Sequence, residues 1–206
     1  MCIRDRFFVS LSPPPGDFRR YPTKAMSLDP IEPSDIPTLF RAREFDRIIN
    51  GIESLLREQS NDSVVHPNWY CWLAICYYFT SKFRRSIMQY NVVLRLDPDA
   101  VNANTNLAHI YSCCPDSTFH NASFAIKYAR HACHVSRWKH WLSVQALITS
   151  YLRTGDFASA SRYAKKSLAM ADEFQLPRVQ VLLQCIDSKQ PYTTTIAEDF
   201  AKLDLS

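Results

Sequence analysis

Apolar side chains recur every three to four positions along most of this chain, as they do on one face of an α-helix. One stripe begins at Ile36 and another runs from Phe45 to Leu56. Short polar stretches interrupt the stripes, and the clearest is Gly155-Asp156 just before Phe157. The pattern predicts an all-α fold of short helices joined by short turns.

One segment of the pattern is repeated along the chain. Three of its residues return 34 positions later, where Leu73, Ala74 and Tyr77 are followed by Leu107, Ala108 and Tyr111. A further copy, shifted by 40 positions, keeps Leu147 and Tyr151, and the longer turn before it absorbs most of the surplus. Self-similarity near this period is typical of arrays of stacked helical pairs.

The best-formed copy carries a recognisable order of residue types. A large aromatic, a leucine, a small residue and a tyrosine are followed by a second small residue, an aromatic and a proline, at Tyr70, Leu73, Ala74, Tyr77, Ser86, Tyr90 and Pro98. Small residues suit two helices that cross closely. On these residues the chain resembles the tetratricopeptide repeat family. Residues 125–191 resemble bacterial members of the planctomycete type.

The resemblance implies a right-handed α-solenoid of helical hairpins with a C-terminal capping helix. It assigns residues 34–191 to this domain, with hairpins at about 34–58, 67–98, 100–137 and 140–172 and the cap at 176–187. We expect residues 192–206 to be a flexible tail. Residues 1–33 are expected to be disordered or artefactual, since MCIRDR resembles a translated sequencing adapter at the start of a metagenomic fragment.

Composition narrows the class of function. Only three of 206 residues are glycine, which disfavours phosphate-binding glycine loops. The net charge is +4 and the 24 basic residues look dispersed, so we expect no nucleic acid partner. No apolar run approaches the roughly 20 residues of a membrane span, and we expect no membrane partner.

The cysteines indicate a reducing compartment rather than chemistry. Seven is an odd number without framework spacing, which favours free thiols and a cytoplasmic location. A group of cysteines and histidines in the middle of the chain lacks the paired spacing of a zinc site, so we predict that it binds no metal. Its members are Cys113, Cys114, His120, His131, Cys133, His134 and His140. Nothing in the sequence sets a base beside a thiol. We therefore expect no cofactor and no enzyme activity.

In the tetratricopeptide family the first helix of each pair lines a concave groove. The positions left over from packing define the predicted groove: Asn68, Cys71, Ile75, Tyr78, Phe79, Asn102, Thr105, Asn106, His109, Ser112, Gln145, Thr149, Leu152 and Arg153. At least one of Tyr78 and Phe79 is expected to face outward, although Phe79 could instead pack against the preceding loop. Asn106 is expected to hydrogen-bond an extended peptide.

One subclass of the family grips a peptide's C-terminal carboxylate with basic residues and asparagines. Asn106 matches one asparagine site, but Cys71, Leu142 and Ala146 occupy the basic sites, so we expect no such clamp. The sequence predicts a scaffold or adaptor that binds a protein or peptide partner. The first alternative is an accessory array of a larger enzyme, such as a kinase or transferase, whose catalytic part is missing. A second alternative, an isolated metal or thiol enzyme, rests only on the cysteines and histidines between Cys113 and His140.

Overall fold

A computed structural model describes residues 31–58, 66–173 and 175–192. Within these residues the chain forms nine α-helices, one short 3-10 helix and no strand, which confirms the all-α prediction. The helices are α1 (Ile36–Arg41), α2 (Phe45–Glu58), α3 (Pro67–Phe79), α4 (Phe83–Leu96), α5 (Val101–Cys113), α6 (Ala122–Val135), α7 (Trp141–Thr154), α8 (Phe157–Met170) and α9 (Leu176–Asp187). The predictions for residues 1–30 and 193–206 lie outside the described residues.

Consecutive helices pack in pairs. Helix α3 packs on α4, α5 on α6, and α7 on α8. Helix α7 also packs closely on both α5 and α6, and α9 covers α8 and part of α7. We call α3, α5 and α7 the first helices and α4, α6 and α8 the second helices.

Small residues stand where the paired helices meet. Ala74 on α3 and Ser86 on α4 are fully buried. Ala129 on α6 and both Ala160 and Ala164 on α8 are fully buried as well. A larger side chain at such a position would push the helices apart, because interiors are packed at crystal-like density. Small side chains at these positions allow the paired helices to pack closely.

Local chemistry fixes where the later helices begin. Gly155 ends α7 in the left-handed region at φ 74°, which glycine adopts without steric cost. Asp156 then caps α8 by accepting a hydrogen bond from the Ser159 amide at 2.9 Å. Asn121 caps α6 in the same way, accepting from the Phe124 amide at 3.0 Å. These caps place α6 and α8 directly after their turns.

The packed region begins earlier than the sequence pattern suggested. Ile31 falls in the segment expected to lie outside the fold, yet its side chain is buried with the core. It lies against Gly51 on α2, where an added Cβ would overlap with it. The absence of a side chain at Gly51 is what admits Ile31, so packed residues are found three positions before the predicted boundary at residue 34.

The buried side chains form two clusters. The first joins α1 to α5 and includes Ile48, Leu73 and Leu107. The second joins α5 to α9 and includes Leu147 and Leu182. Helix α5 contributes buried residues to both clusters, and Tyr128 on α6 packs against both, so these two helices connect the two halves of the described chain.

Candidate functional site

The first helices carry the face on which the groove was predicted. Five of its residues are half-buried and remain partly accessible: Asn68, Asn102, His109, Gln145 and Arg153. Asn102 and His109 are seven residues apart on α5 and so share one side of that helix. The accessible part of this face is therefore polar and belongs mainly to α5 and α7.

The aromatic part of the predicted groove is buried, which contradicts the sequence prediction. Tyr78 is 1% exposed and Phe79 is 6% exposed. Phe79 packs against Phe40 and Phe45, with ring centroids 5.7 and 5.5 Å away. Cys71, Ile75 and Leu152 are buried too. Helix α3 is apolar on every side, and a helix of that kind belongs inside a protein.

Asn106 has an internal role instead of the predicted contact with a peptide. Its side chain is 2% exposed and its Nδ2 donates to the Tyr90 hydroxyl at 2.9 Å. Tyr90 lies on α4 and is itself buried. The pair joins α4 to α5 through a buried hydrogen bond, so the Asn106 amide does not lie at the surface where a peptide was expected to contact it.

A line of polar contacts joins α5 to α7, and we call it the polar seam. Thr105 and Ser143 share a hydroxyl hydrogen bond of 2.7 Å, and Ser112 and Thr149 share one of 3.0 Å. The hydroxyls of both pairs are buried. A slip of one helix along the other would leave these groups unpaired in the interior. The seam therefore fixes the register of α5 against α7, and three predicted groove residues belong to it, namely Thr105, Ser112 and Thr149.

Arg153 closes the seam at its C-terminal end. Its Nε donates to the Ser112 carbonyl at 2.7 Å, and its guanidinium also donates to the Tyr192 carbonyl at 3.3 Å. The side chain thereby connects α7 to the end of α5 and to the segment after α9. Arg153 is held by main-chain acceptors and is only partly accessible at the predicted groove.

The structure brings a histidine beside a thiol, contrary to the sequence prediction. The Cys113 sulfur lies 3.1 Å from His109 Nδ1, and His109 Nε2 lies 3.3 Å from the Tyr78 hydroxyl. A thiol, an imidazole and a third group in line is the arrangement of an activated nucleophile. Cys113 is fully buried, however, so no substrate reaches its sulfur in this conformation. The spacing of four residues on one helix was the sequence signal for this contact.

The other cysteines and histidines of the middle segment are dispersed. His131 pairs with Asp99 at 2.9 Å, and His120 lies 2.8 Å from the Cys114 carbonyl. Cys133 is buried in the second cluster, where burial raises its pKa to about 12. In the part of the chain that the structure describes, no group of three or more His, Cys, Asp or Glu side chains is placed to hold a metal ion.

His140 at the start of α7 is expected to make the stability of the fold depend on pH. Its Nδ1 lies 2.7 Å from the Ser143 hydroxyl, and burial lowers its pKa below the ordinary 6.5. As the pH falls below 6.5, the unfolded chain takes up a proton at this residue before the folded chain does. The free energy of unfolding should therefore fall as the pH is lowered through this range, by at most about 1.4 kcal/mol per pH unit from this residue.

We expect His140→Gln to reduce that dependence, because glutamine can keep a hydrogen bond to Ser143 without titrating. Urea denaturation at about pH 7.5 and about pH 5.5 measures it. Burial also lowers the pKa of His120, so a smaller dependence of the same sign should remain. An unchanged pH dependence in His140→Gln would show that His140 is protonated alike in both states.

No family model matches the chain, and no curated protein matches it. Among residues 31–58, 66–173 and 175–192, no helix is both long and apolar enough to cross a bilayer.

Proposed function

We propose that this chain is an adaptor of the tetratricopeptide type, a solenoid that binds a peptide or helix of a partner protein along its first helices. The repeated residues of the sequence and the packing of α7 on both α5 and α6 support the repeat arrangement. The buried free thiols, at Cys71, Cys76 and Cys133 among others, favour a cytoplasmic location.

The observation that carries the proposal is the accessible polar face of α5 and α7. Asn102, His109 and Gln145 are half-buried there while the seam beneath them is fully paired. Amide side chains donate to and accept from a peptide backbone, and a face whose register is fixed loses little freedom on binding. The binding surface is therefore narrower than the sequence predicted and lies toward the later pairs.

A peptide library selected against the intact chain tests this surface. Peptides that bind should lose about tenfold in affinity for Asn102→Ala/Gln145→Ala, since two side-chain hydrogen bonds of about 0.5–1.5 kcal/mol each are removed. Isothermal titration calorimetry gives the dissociation constants.

Gln89→Ala/Asn91→Ala is the matched control, because it removes the same two residue types from half-buried positions on α4. The control should bind the selected peptides as tightly as the unchanged chain. Equal affinities for all three proteins, or a loss confined to the α4 variant, would exclude the face of α5 and α7 as the binding surface.

A further inference from the structure

Three aromatic rings from different elements form a continuous stack at the second half of the chain. Tyr151 on α7 lies parallel to Tyr163 on α8 within 4°, with centroids 5.6 Å apart. Tyr163 lies parallel to Trp138, in the turn after α6, within 2° and at 5.5 Å. Parallel rings at this centroid distance are offset-stacked. We call Tyr151, Tyr163 and Trp138 the ring stack.

Three cations surround the ring stack. The Lys166 ammonium lies 3.9 Å from the Trp138 ring centroid, and the Arg162 guanidinium carbon lies 5.1 Å from that of Tyr163. Arg130 on α6 is close enough to oppose the rise that burial causes in the pKa of Tyr151. The side chains of all three are exposed, so their charges face the solvent. The rings hold Lys166 and Arg162 in place through cation–π contacts.

Acidic residues are scarce in the segment of sequence that contains the ring stack. Residues 122–170 contain eight lysines and arginines but a single acidic residue, Asp156. The segment therefore has a net charge of +7, while the whole chain has a net charge of +4, so the rest of the chain has a net charge of −3. Asp156 is already used as the cap of α8. The bases that looked dispersed in the sequence thus dominate one part of the molecule.

We propose that the ring stack and its three cations, Arg130, Arg162 and Lys166, bind a segment of a partner protein that is rich in aspartate and glutamate. Arginine side chains offer paired donors that match a carboxylate, and lysine supplies a point charge. This surface is contributed mainly by α6 and α8 and goes beyond the peptide-binding face of α5 and α7.

A peptide is favoured over a nucleic acid by the state of the rings. Proteins that bind single strands stack bases on open aromatic faces. Here the faces of the rings are engaged by one another and by the ammonium and guanidinium groups. The cations remain available to carboxylates, which need no ring face. The chemistry of the surface therefore suits an acidic, flexible peptide, which has no nucleobases to stack on the rings.

Fluorescence anisotropy with a labelled eight-residue peptide of alternating Asp and Glu tests the proposal on the full chain. Arg130→Gln/Lys166→Gln should weaken binding at least tenfold, and added salt should weaken binding of the unchanged chain. Arg84→Gln/Arg95→Gln is the matched control, because it removes two exposed charges from α4. Circular dichroism verifies that each variant is folded.

Each outcome decides the proposal. Tenfold weaker binding in the α6/α8 variant with unchanged binding in the control supports it. Equal losses of affinity in both variants would show that the peptide is attracted by net charge alone, and this would overturn the proposal. Tighter binding of a labelled oligouridine or of vesicles containing anionic lipid than of the peptide would assign the surface to those ligands instead. Asn102→Ala/Gln145→Ala should bind the acidic peptide normally, so a failure at one surface is distinguishable from a failure at the other.

Discussion

Leu147→Ala is expected to lower the free energy of unfolding by about 2–5 kcal/mol, the largest effect of any change considered for this chain. Leu147 is fully buried on α7 and lies in the second cluster. Because α7 packs on α5, α6, α8 and α9, a cavity at this position is surrounded by helices on several sides. Neighbours held by that many contacts cannot easily move in to fill it.

Urea denaturation followed by circular dichroism measures the loss. Leu168→Ala removes the same atoms from α8 at a position that is 44% exposed, and it should change the stability by only a few tenths of a kcal/mol. Similar losses in the two variants would mean that Leu147 is not enclosed as described. If Leu147→Ala shows no cooperative transition at all, Leu147→Val measures a smaller step at the same site.

Breaking the buried hydrogen bond between Asn106 and Tyr90 is expected to cost about 1–3 kcal/mol. In Asn106→Ala the Tyr90 hydroxyl loses its donor while its ring stays fully enclosed, so the polar group is left without this partner in the interior. Burial already raises the pKa of Tyr90 well above its usual value, which reflects how little water reaches it.

A double-mutant cycle with Tyr90→Phe isolates the contact from the cavity that Asn106→Ala also creates. We expect the double variant to be more stable than the sum of the two single losses predicts, because once both polar groups are removed no unpaired polar group remains in the interior. Strictly additive losses would indicate that the two side chains do not interact. If Asn106→Ala is as stable as the unchanged chain, the Asn106 side chain is not part of a buried hydrogen bond.

Periodicity was enough to predict the helical class and the small residues at helix crossings. Ala74 and Ser86 stand out because the pattern tolerates only small side chains there, and both are fully buried. The Gly155-Asp156 turn was readable for the same kind of reason, since its two residues have specific conformational roles. Local chemistry of this kind is encoded within a few residues.

The binding face was harder to predict, because a side chain can be buried by residues that are far from it in the sequence. The sequence of α3 alone cannot show that Phe79 is covered by Phe40 and Phe45, because those two residues lie on α1 and α2. Likewise, Asn106 is polar and looks exposed until α4 brings Tyr90 to it. In both cases the error came from assigning one face of a helix to solvent when a preceding element occupies it.

The division of the core into two clusters joined at α5 has a consequence for how the chain opens. Stacked helical units unfold by parts when the contacts between neighbouring units are weaker than those inside them. Amide protons of α1 and α2, at one end, can exchange with solvent through local opening while α5 to α9 stay closed. We expect those of α5 to exchange most slowly among the described helices, because this helix is packed into both clusters.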